Sequence, residues 1–462
     1  MRLTFDRGTL LLDAPPGVAV FAETGVLTWD SRVGLWRAKA CEYAAVTSGL
    51  SGRGVRFSDD VRPATGHSAR LPDLDAPVLR PYQDAALTAW ESQACRGVVA
   101  LPTGSGKTRI AIAAIARARA RTLVLVPTRV LLEQWEVELK AAARSPIGKL
   151  GDGVRVIESI TVATYESAFR TMAELGNAFD LLVVDETHHF GNGVRDEALE
   201  MCIAPMRLGL TATPSNGLAW ERVTRLVGPT VFQLAIGDLI GTWLAGLDMA
   251  TVNLDLTPAE RADYERWMHD FRNVTGLLRA ALGSASSWKE MTKAAARSVD
   301  GRRALAAFRD AQRLLALTDA KRATVERLLA KHRDNKVLVF TADNESAYAI
   351  ARGMLVMPIT CDIGRKERKS VLARFRSGEL RTLVSSRVLN EGIDVPDADV
   401  AILVGAALGE REYVQRIGRL LRPAEGKRAL VYELVTRDTL EIRRIKKRRD
   451  GLVAGNPVAP QT

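Results

Sequence analysis

A chain of 462 residues, 47% hydrophobic and 26% charged, has the composition of a soluble globular protein and length for about two to four domains. Its net charge of +11 favours an acidic partner, nucleic acid first, although a generally Arg-rich composition produces the same excess. Cys41, Cys95, Cys202 and Cys361 form no CxxC pair, which argues against a zinc knuckle or disulfide framework, and neither a bilayer-spanning apolar run nor a signal-peptide core is present, so a cytoplasmic protein with no membrane partner is expected.

Residues 1–75 read as a small β or α+β module. Short β-like runs at 9–13, 26–29 and 35–37 are separated by Pro15-Pro-Gly17, Gly25 and Asp30-Ser31. Trp29, Trp36, Tyr43 and Phe57, interleaved with Arg32, Arg37, Lys39, Arg53 and Arg56, suit either a base-stacking surface or the core of a small domain. The core is preferred, because aromatics in a small module mostly pack inward. Residues 70–77, with two prolines, read as a linker.

Beyond the linker, strands alternate with helices, the pattern of a parallel sheet covered on both faces. Val98-Val-Ala-Leu101, Pro102-Thr-Gly-Ser-Gly-Lys-Thr108 and Ile110-Ala-Ile-Ala-Ala-Ile115 read as strand, Gly-rich turn and helix. Such a turn aims several backbone N–H groups and a helix N-terminus at one point, which suits a polyphosphate such as that of ATP. Thr103, Gly104, Ser105 and Gly106 would form the cradle, Lys107 would bring charge to the β/γ-phosphates, and the Thr108 hydroxyl would ligate Mg2+. Leu101 stands where the full template has Gly. Further strands are expected at 121–127, 159–165, 180–186 and 207–214. In open α/β sheets ligands bind at the carboxyl ends of strands, so Asp185 and Glu186 are expected beside the turn. Asp185 would hold Mg2+ through water, and Glu186 would polarise the water that attacks the γ-phosphate. His188 reads equally as a relay from the nucleotide or as an ordinary loop histidine; His189 reads as the latter.

Helical signals dominate residues 251–325, where Trp267, Phe271, Trp288 and Phe308 sit among many Arg and Lys. Spacing alone fits both a DNA-gripping insertion and a helical linker with inward aromatics. Strand signals return at 336–341, 381–386, 400–405 and 428–435 without a second Gly-rich turn, so 326–440 reads as a second, degenerate α/β lobe. Gln415-Arg-Ile-Gly-Arg-Leu-Leu-Arg422 puts Arg419 and Arg422 on one helix face. Arginines so placed can neutralise charge developing on a γ-phosphate, an effect worth roughly 10³–10⁵ in rate, but spacing alone favours an ordinary solvated basic face. The basic tail, 441–462, suits phosphates or a solvated helix.

Taken together, Arg80-Pro-Tyr-Gln83, Thr103-Gly-Ser-Gly-Lys-Thr108, Pro127-Thr-Arg129, Asp185-Glu-Thr-His188, Thr211-Ala-Thr-Pro214, Asn390-Glu-Gly-Ile-Asp-Val-Pro396 and the 415–422 stretch resemble the ordered motifs of a superfamily-two helicase core. In that family the leading position of the P-loop is often not Gly. Several stretches, 382–396, 412–416 and 432–437, look closest to archaeal and bacterial homologues of the xeroderma pigmentosum group B helicase. The resemblance implies two RecA-like parallel-sheet motor lobes, 76–250 and 326–440, a damage-recognition-like N-terminal module and a thumb-like helical insertion. The last tilts the middle aromatics towards DNA contact. It further implies that Arg80 and Gln83 read the adenine, that Thr211 and Thr213 couple nucleotide to domain movement, and that Gln415 lies near the γ-phosphate. Gly392 and Asp394 would line the interlobe nucleotide face. Arg129 and Thr164-Tyr-Glu166 would face nucleic acid, with an ordinary cap or surface turn open for each.

The activity implied is a DNA-dependent ATPase with 3′-to-5′ helicase or translocase action, a monomeric motor on double-stranded and single-stranded or forked DNA. It would be nucleoid-associated in a prokaryote, with a repair nuclease or other repair protein as partner. One departure bears on unwinding. The family usually carries an Arg-Glu-Asp triplet shortly after its third motif, where this chain has Thr213-Pro-Ser-Asn-Gly-Leu218. Competing readings are a duplex translocase without strand separation, a DNA-binding scaffold with a vestigial ATP site, and a motor acting on RNA.

Overall fold

The computed structural model describes residues 1–15, 26–62, 71–214, 216–243, 246–283, 287–386, 398–405 and 428–445. The chain divides between Asp238 and Leu239 into two compact units. Among the described residues the strands form three sheets, and no helix is long and apolar enough to cross a membrane.

The first sheet holds β1 (Arg2–Asp6), β2 (Thr9–Asp13), β3 (Thr28–Asp30), β4 (Leu35–Lys39) and β5 (Ser58–Asp60), in the order β3-β4-β2-β1-β5. Alternate residues Leu10 and Leu12, and Trp36 and Ala38, point to one face and bury against Val46 and Leu50 of the helix Tyr43–Gly52. Trp29, Tyr43 and Phe57 pack against this core, and the Trp29 and Trp36 rings meet edge-on at 5.5 Å. The inward reading of these aromatics holds. The core is completed by Ile203, which comes from the motor segment. At the β1–β2 turn Gly8 has φ +83, and a Cβ there would lie 2.3 Å from Met201 Cγ. Ion pairs Lys39–Glu200 (2.9 Å) and Arg62–Asp180 tie the same two segments together. The module is therefore part of one unit with the motor sheet that follows.

That second sheet comprises β6 (Arg96–Ala100), β7 (Thr122–Val126), β8 (Ile147–Gly151), β9 (Val154–Val156), β10 (Ile160–Thr164), β11 (Leu181–Asp185), β12 (Met206–Thr211) and β13 (Thr230–Gln233). Their order is β13-β6-β12-β11-β7-β10-β8-β9, parallel throughout except for the β8–β9 hairpin. The strands β7, β10 and β11 are buried end to end, as strands covered on both faces should be. Each buried Val, Leu or Ile contributes roughly 1.5–3 kcal/mol relative to exposure. Helices Arg129–Ala142 and Tyr165–Leu175 begin where Thr128 and Thr164 accept N–H bonds from Leu131 and Ser167.

The second unit carries β14 (Gly246–Leu254), β15 (Val337–Phe340), β16 (Met357–Ile359), β17 (Thr382–Ser385), β18 (Val400–Leu403) and β19 (Arg428–Thr436), ordered β14-β19-β18-β15-β17-β16 and all parallel. The expected boundary at residue 250 falls inside β14, which pairs along its whole length with β19. Its partner lies at the far end of the chain, and local periodicity carries no sign of so distant a pairing. Between β14 and β15 come the helices Pro258–Leu282, Trp288–Ala295, Val299–Ala316 and Asp319–Lys331. Thr257 with Glu260 and Ser287 with Glu290 form capping boxes at the first two. The Phe271 and Phe308 rings stack at 4.3 Å, and Trp288 lies 6.0 and 5.5 Å from them. Phe271, Phe308 and Trp288 face one another where the helices that bear them pack, and Trp288 stays half exposed.

Candidate nucleotide site

Strand register lays out the site. β12 lies between β6 and β11, with Thr211 opposite Ala100 and Leu210 opposite Asp185. Three neighbouring strands thus end at one level, on the carboxyl edge where open parallel sheets bind ligands. The Leu101 N–H donates to Thr211 O at 2.9 Å and fastens the start of the Gly-rich loop to β12.

The loop turns through Gly104 (φ 85) and Gly106 (φ 78), and helix Lys107–Ala118 starts at the latter. The φ of Gly106 favours glycine, and a Cβ there would lie 2.5 Å from Gln83 Nε2, so the Gln83 side chain would have to shift. Gln83 is buried in the first turn of helix Pro81–Ser92. Its Nε2 donates to Ser105 O (2.7 Å), its Oε1 accepts the Arg80 N–H (2.9 Å), and Tyr82 OH donates to the same Ser105 carbonyl (2.7 Å). Gln83 therefore grips the loop backbone. Lys107 Nζ donates to Leu101 O (3.0 Å) and Pro102 O (3.2 Å), across the mouth of the loop. Thr103 Oγ1 is buried with no hydrogen-bond partner among the described residues. A buried hydroxyl, left-handed glycines and a lysine at one helix N-terminus fit a polyphosphate.

Across from the loop, Asp185 is buried, and both its oxygens are held. Oδ2 accepts the Trp135 indole N–H at 2.8 Å, and Oδ1 accepts the Glu186 N–H at 3.0 Å. Burial pushes the Asp185 carboxyl up from its usual range; the Trp135 bond, the Lys107 charge and the Glu186 N–H work against that rise. Glu186 stands in the left-handed region (φ 51, ψ 49). Its Oε2 lies 3.3 Å from His188 Nδ1, which lies 3.0 Å from Thr211 Oγ1. Thr211 Oγ1 in turn accepts the Thr213 N–H at 3.2 Å. Glu186, His188, Thr211 and Thr213 form one polar chain from the acid to the end of β12. His188 is buried in that chain rather than loose in a loop, and His189 packs against it at 4.4 Å.

Two residues of this arrangement carry no warning in the sequence. Trp135 sits mid-helix and reads as core. Tyr165 falls in the stretch expected to face nucleic acid, yet it is buried and its hydroxyl donates to the carbonyls of Asp185 and Glu186. Of the two alternatives open for this stretch, Thr164 is a helix cap and Tyr165 lies under the acids. Arg129 is exposed and paired with Asp152 at 3.2 Å. Arg222, beside the place of the missing triplet, pairs with Asp196 (2.9 Å) and Glu200 (3.4 Å). Thr108 lies in the first turn of the loop helix. Gly392, Asp394, Gln415, Arg419 and Arg422 lie outside the described residues.

Three family models match the chain: the xeroderma pigmentosum group B helicase damage recognition domain over residues 3–61, the type III restriction enzyme res subunit over 76–216, and the helicase conserved C-terminal domain over 320–424. The chain is 32% identical over 453 residues to the DNA 3′-5′ translocase XPB2 of Sulfurisphaera tokodaii, covering 97% of this chain and 99% of that one. It is 31% identical over 380 residues to the DNA 3′-5′ helicase XPB of Mycobacterium tuberculosis, covering 79% of this chain and 61% of that one. Among solved structures, the Pyrococcus furiosus Hef helicase domain matches with a TM-score of 0.51 and 18% identity, over 80% of this chain and 98% of that one, a likeness of fold.

Proposed function

The chain belongs to the xeroderma pigmentosum group B family of helicases, and from that premise we propose that it is a DNA-dependent ATPase working as a 3′-to-5′ helicase or translocase in DNA repair. The observation that carries the reading is the gathering of Lys107, Asp185 and the Glu186–His188–Thr211 chain around one left-handed glycine loop. Lys107 would exchange its loop carbonyls for phosphate oxygens. Thr103, Gly104, Ser105 and Gly106 would wrap the phosphates, and Arg80 and Gln83 would read the adenine, with Gln83 also bracing the loop through Ser105 O. Thr108 and Asp185 would hold Mg2+, which when bound supplies charge neutralisation. Glu186 would orient the attacking water, and its link through His188 to Thr211 would report that state to the end of β12. Gln415, Arg419, Arg422, Gly392 and Asp394 are proposed, by their family motifs, as needed for turnover.

DNA affinity held by basic surfaces should fall steeply with salt. The test is ATPase rate with and without DNA, with Lys107→Ala as control. A parent protein that DNA does not stimulate refutes the reading. A translocase that does not separate strands is the second reading, favoured by the 213–218 sequence and by Arg222 lying in ion pairs with Asp196 and Glu200. Triplex displacement without unwinding of a 3′-tailed duplex would select it. A monomeric motor with a repair nuclease as partner is proposed for both.

A further inference from the structure

We propose that Tyr165 and Trp135 are positioning residues for hydrolysis, which hold the acidic pair at the end of β11 in working geometry. The proposal rests on the reading of Asp185 and Glu186 as the metal-holding and water-orienting acids. The carbonyl of Asp185 and the N–H of Glu186 are two ends of one peptide unit. Tyr165 OH donates to that carbonyl, while the N–H donates to Asp185 Oδ1 at 3.0 Å. The same hydroxyl reaches the next carbonyl, Glu186 O, at 3.2 Å. The single O–H hydrogen is shared between the carbonyls of two successive peptides.

This hold matters because Glu186 is a non-glycine residue at φ 51 and ψ 49. That conformation brings Cβ close to backbone oxygen and persists only where neighbours over-determine it. If the Asp185–Glu186 peptide rotated, Asp185 Oδ1 would lose its donor and the Glu186 side chain would swing away from His188. Trp135 completes the hold by donating to Asp185 Oδ2 at 2.8 Å, so each carboxylate oxygen has a fixed donor. The two aromatics are themselves wedged. Both are 2% exposed, and the Tyr165 ring lies 4.5 Å from Phe190. Packing alone would be served by phenylalanine in place of Tyr165, and by an aromatic without an N–H in place of Trp135. What packing does not require is the O–H and the N–H, and both are aimed at the acids.

Tyr165→Phe keeps the ring and deletes its donor, whereas Trp135→Phe deletes the N–H and also trims the buried indole to a phenyl. Displacing a reacting group by about 1 Å can cost about a hundredfold in rate, so Tyr165→Phe should lower kcat about ten- to hundredfold, with KM for ATP within about twofold of the parent. Trp135→Phe is read by binding of a fluorescent, non-hydrolysable ATP analogue. Its affinity in EDTA should match the parent, while the gain on adding Mg2+ should shrink at least about fivefold. A Tyr165→Phe variant with kcat within about twofold of the parent, or with a loss that lies in KM, overturns the proposal for Tyr165. A full Mg2+ gain in Trp135→Phe overturns it for Trp135 and, should Tyr165→Phe fail to fold, decides against the whole. A parent without turnover would instead refute the ATPase reading, so the two failures are distinct.

Discussion

Removing one partner of the buried Lys321–Glu441 pair should loosen the second unit far more than replacing both. The two side chains are 0% and 2% exposed, and Lys321 Nζ donates to the Glu441 oxygens at 2.8 and 2.9 Å and to Leu315 O at 2.5 Å. Thr436, the last residue of β19, donates its N–H to Glu441 Oε2 at 2.8 Å. The pair thus joins the helix Asp319–Lys331 to the end of the longest strand pairing in that sheet. Lys321→Met leaves a buried carboxylate without its cation, a change that costs about 3–5 kcal/mol. Lys321→Met with Glu441→Gln removes both charges and keeps an acceptor for Thr436, so most of that loss should return. Hydrogen exchange of the β19 amides reads the difference, since a loss of about 3 kcal/mol speeds exchange through global opening about 150-fold. A single variant that exchanges within about tenfold of the parent, or a double variant no better than the single, refutes the reasoning.

Two further outcomes follow from the loop and from the N-terminal module. Gly106→Ala combines a strained φ of +78 with a Cβ 2.5 Å from Gln83 Nε2, so nucleotide affinity should fall at least about tenfold. Adding Gln83→Ala should not restore it, because the backbone strain remains; a double variant that binds as the parent does would count against the argument. In the first sheet, the Arg32 side chain, with the Arg32 N–H and Arg37, holds the Asp30 carboxyl well below the usual carboxylate range. Its folded-state pKa is depressed, so its contribution is present above the ordinary Asp range of about 4 and fades as pH falls below that value towards the folded one. The Tm gap between parent and Asp30→Asn should therefore narrow on going from pH 7 to the acid side of about 4; an equal gap at both would exclude the linkage.

The parts of the fold that could be read in advance are those written locally. β7 and β11 are unbroken apolar runs, and a glycine-rich turn between β6 and an alternating Ala/Ile helix needs no distant partner to be recognised. Asp185 ends β11 and Glu186 follows it on the carboxyl edge, which parallel topology itself dictates. Elements whose identity depends on a remote neighbour were not visible. β14 becomes a strand of the second sheet through β19, and Ile203 belongs to a core built from residues before 62. Tyr165 is undecided in the sequence for a related reason: whether a tyrosine at a helix start faces out or under the sheet edge depends on the strand two places away, and the end of β11 and the residue after it supply the carbonyls it meets.

The polar groups of the site share one property that motif spacing does not convey. Lys107 is bonded to the carbonyls of its own loop, Gln83 to Ser105 O, and Glu186 faces His188. A nucleotide entering there would exchange hydrogen bonds rather than add them, and exchange contributes little net affinity per bond. Discrimination for phosphate must then come from geometry set beforehand: two left-handed glycines, a loop fastened to β12 through Leu101, and an acid whose oxygens are both held. Rigidity of that kind is supplied from behind by Tyr82, Trp135 and Tyr165, each buried and each directing one polar atom at the backbone or carboxylate of a motif residue. Fixing these groups before the substrate arrives lowers the reorganisation that the reaction would otherwise require. On the proposal above, the aromatics behind the site serve its chemistry by holding in place the charged residues in front.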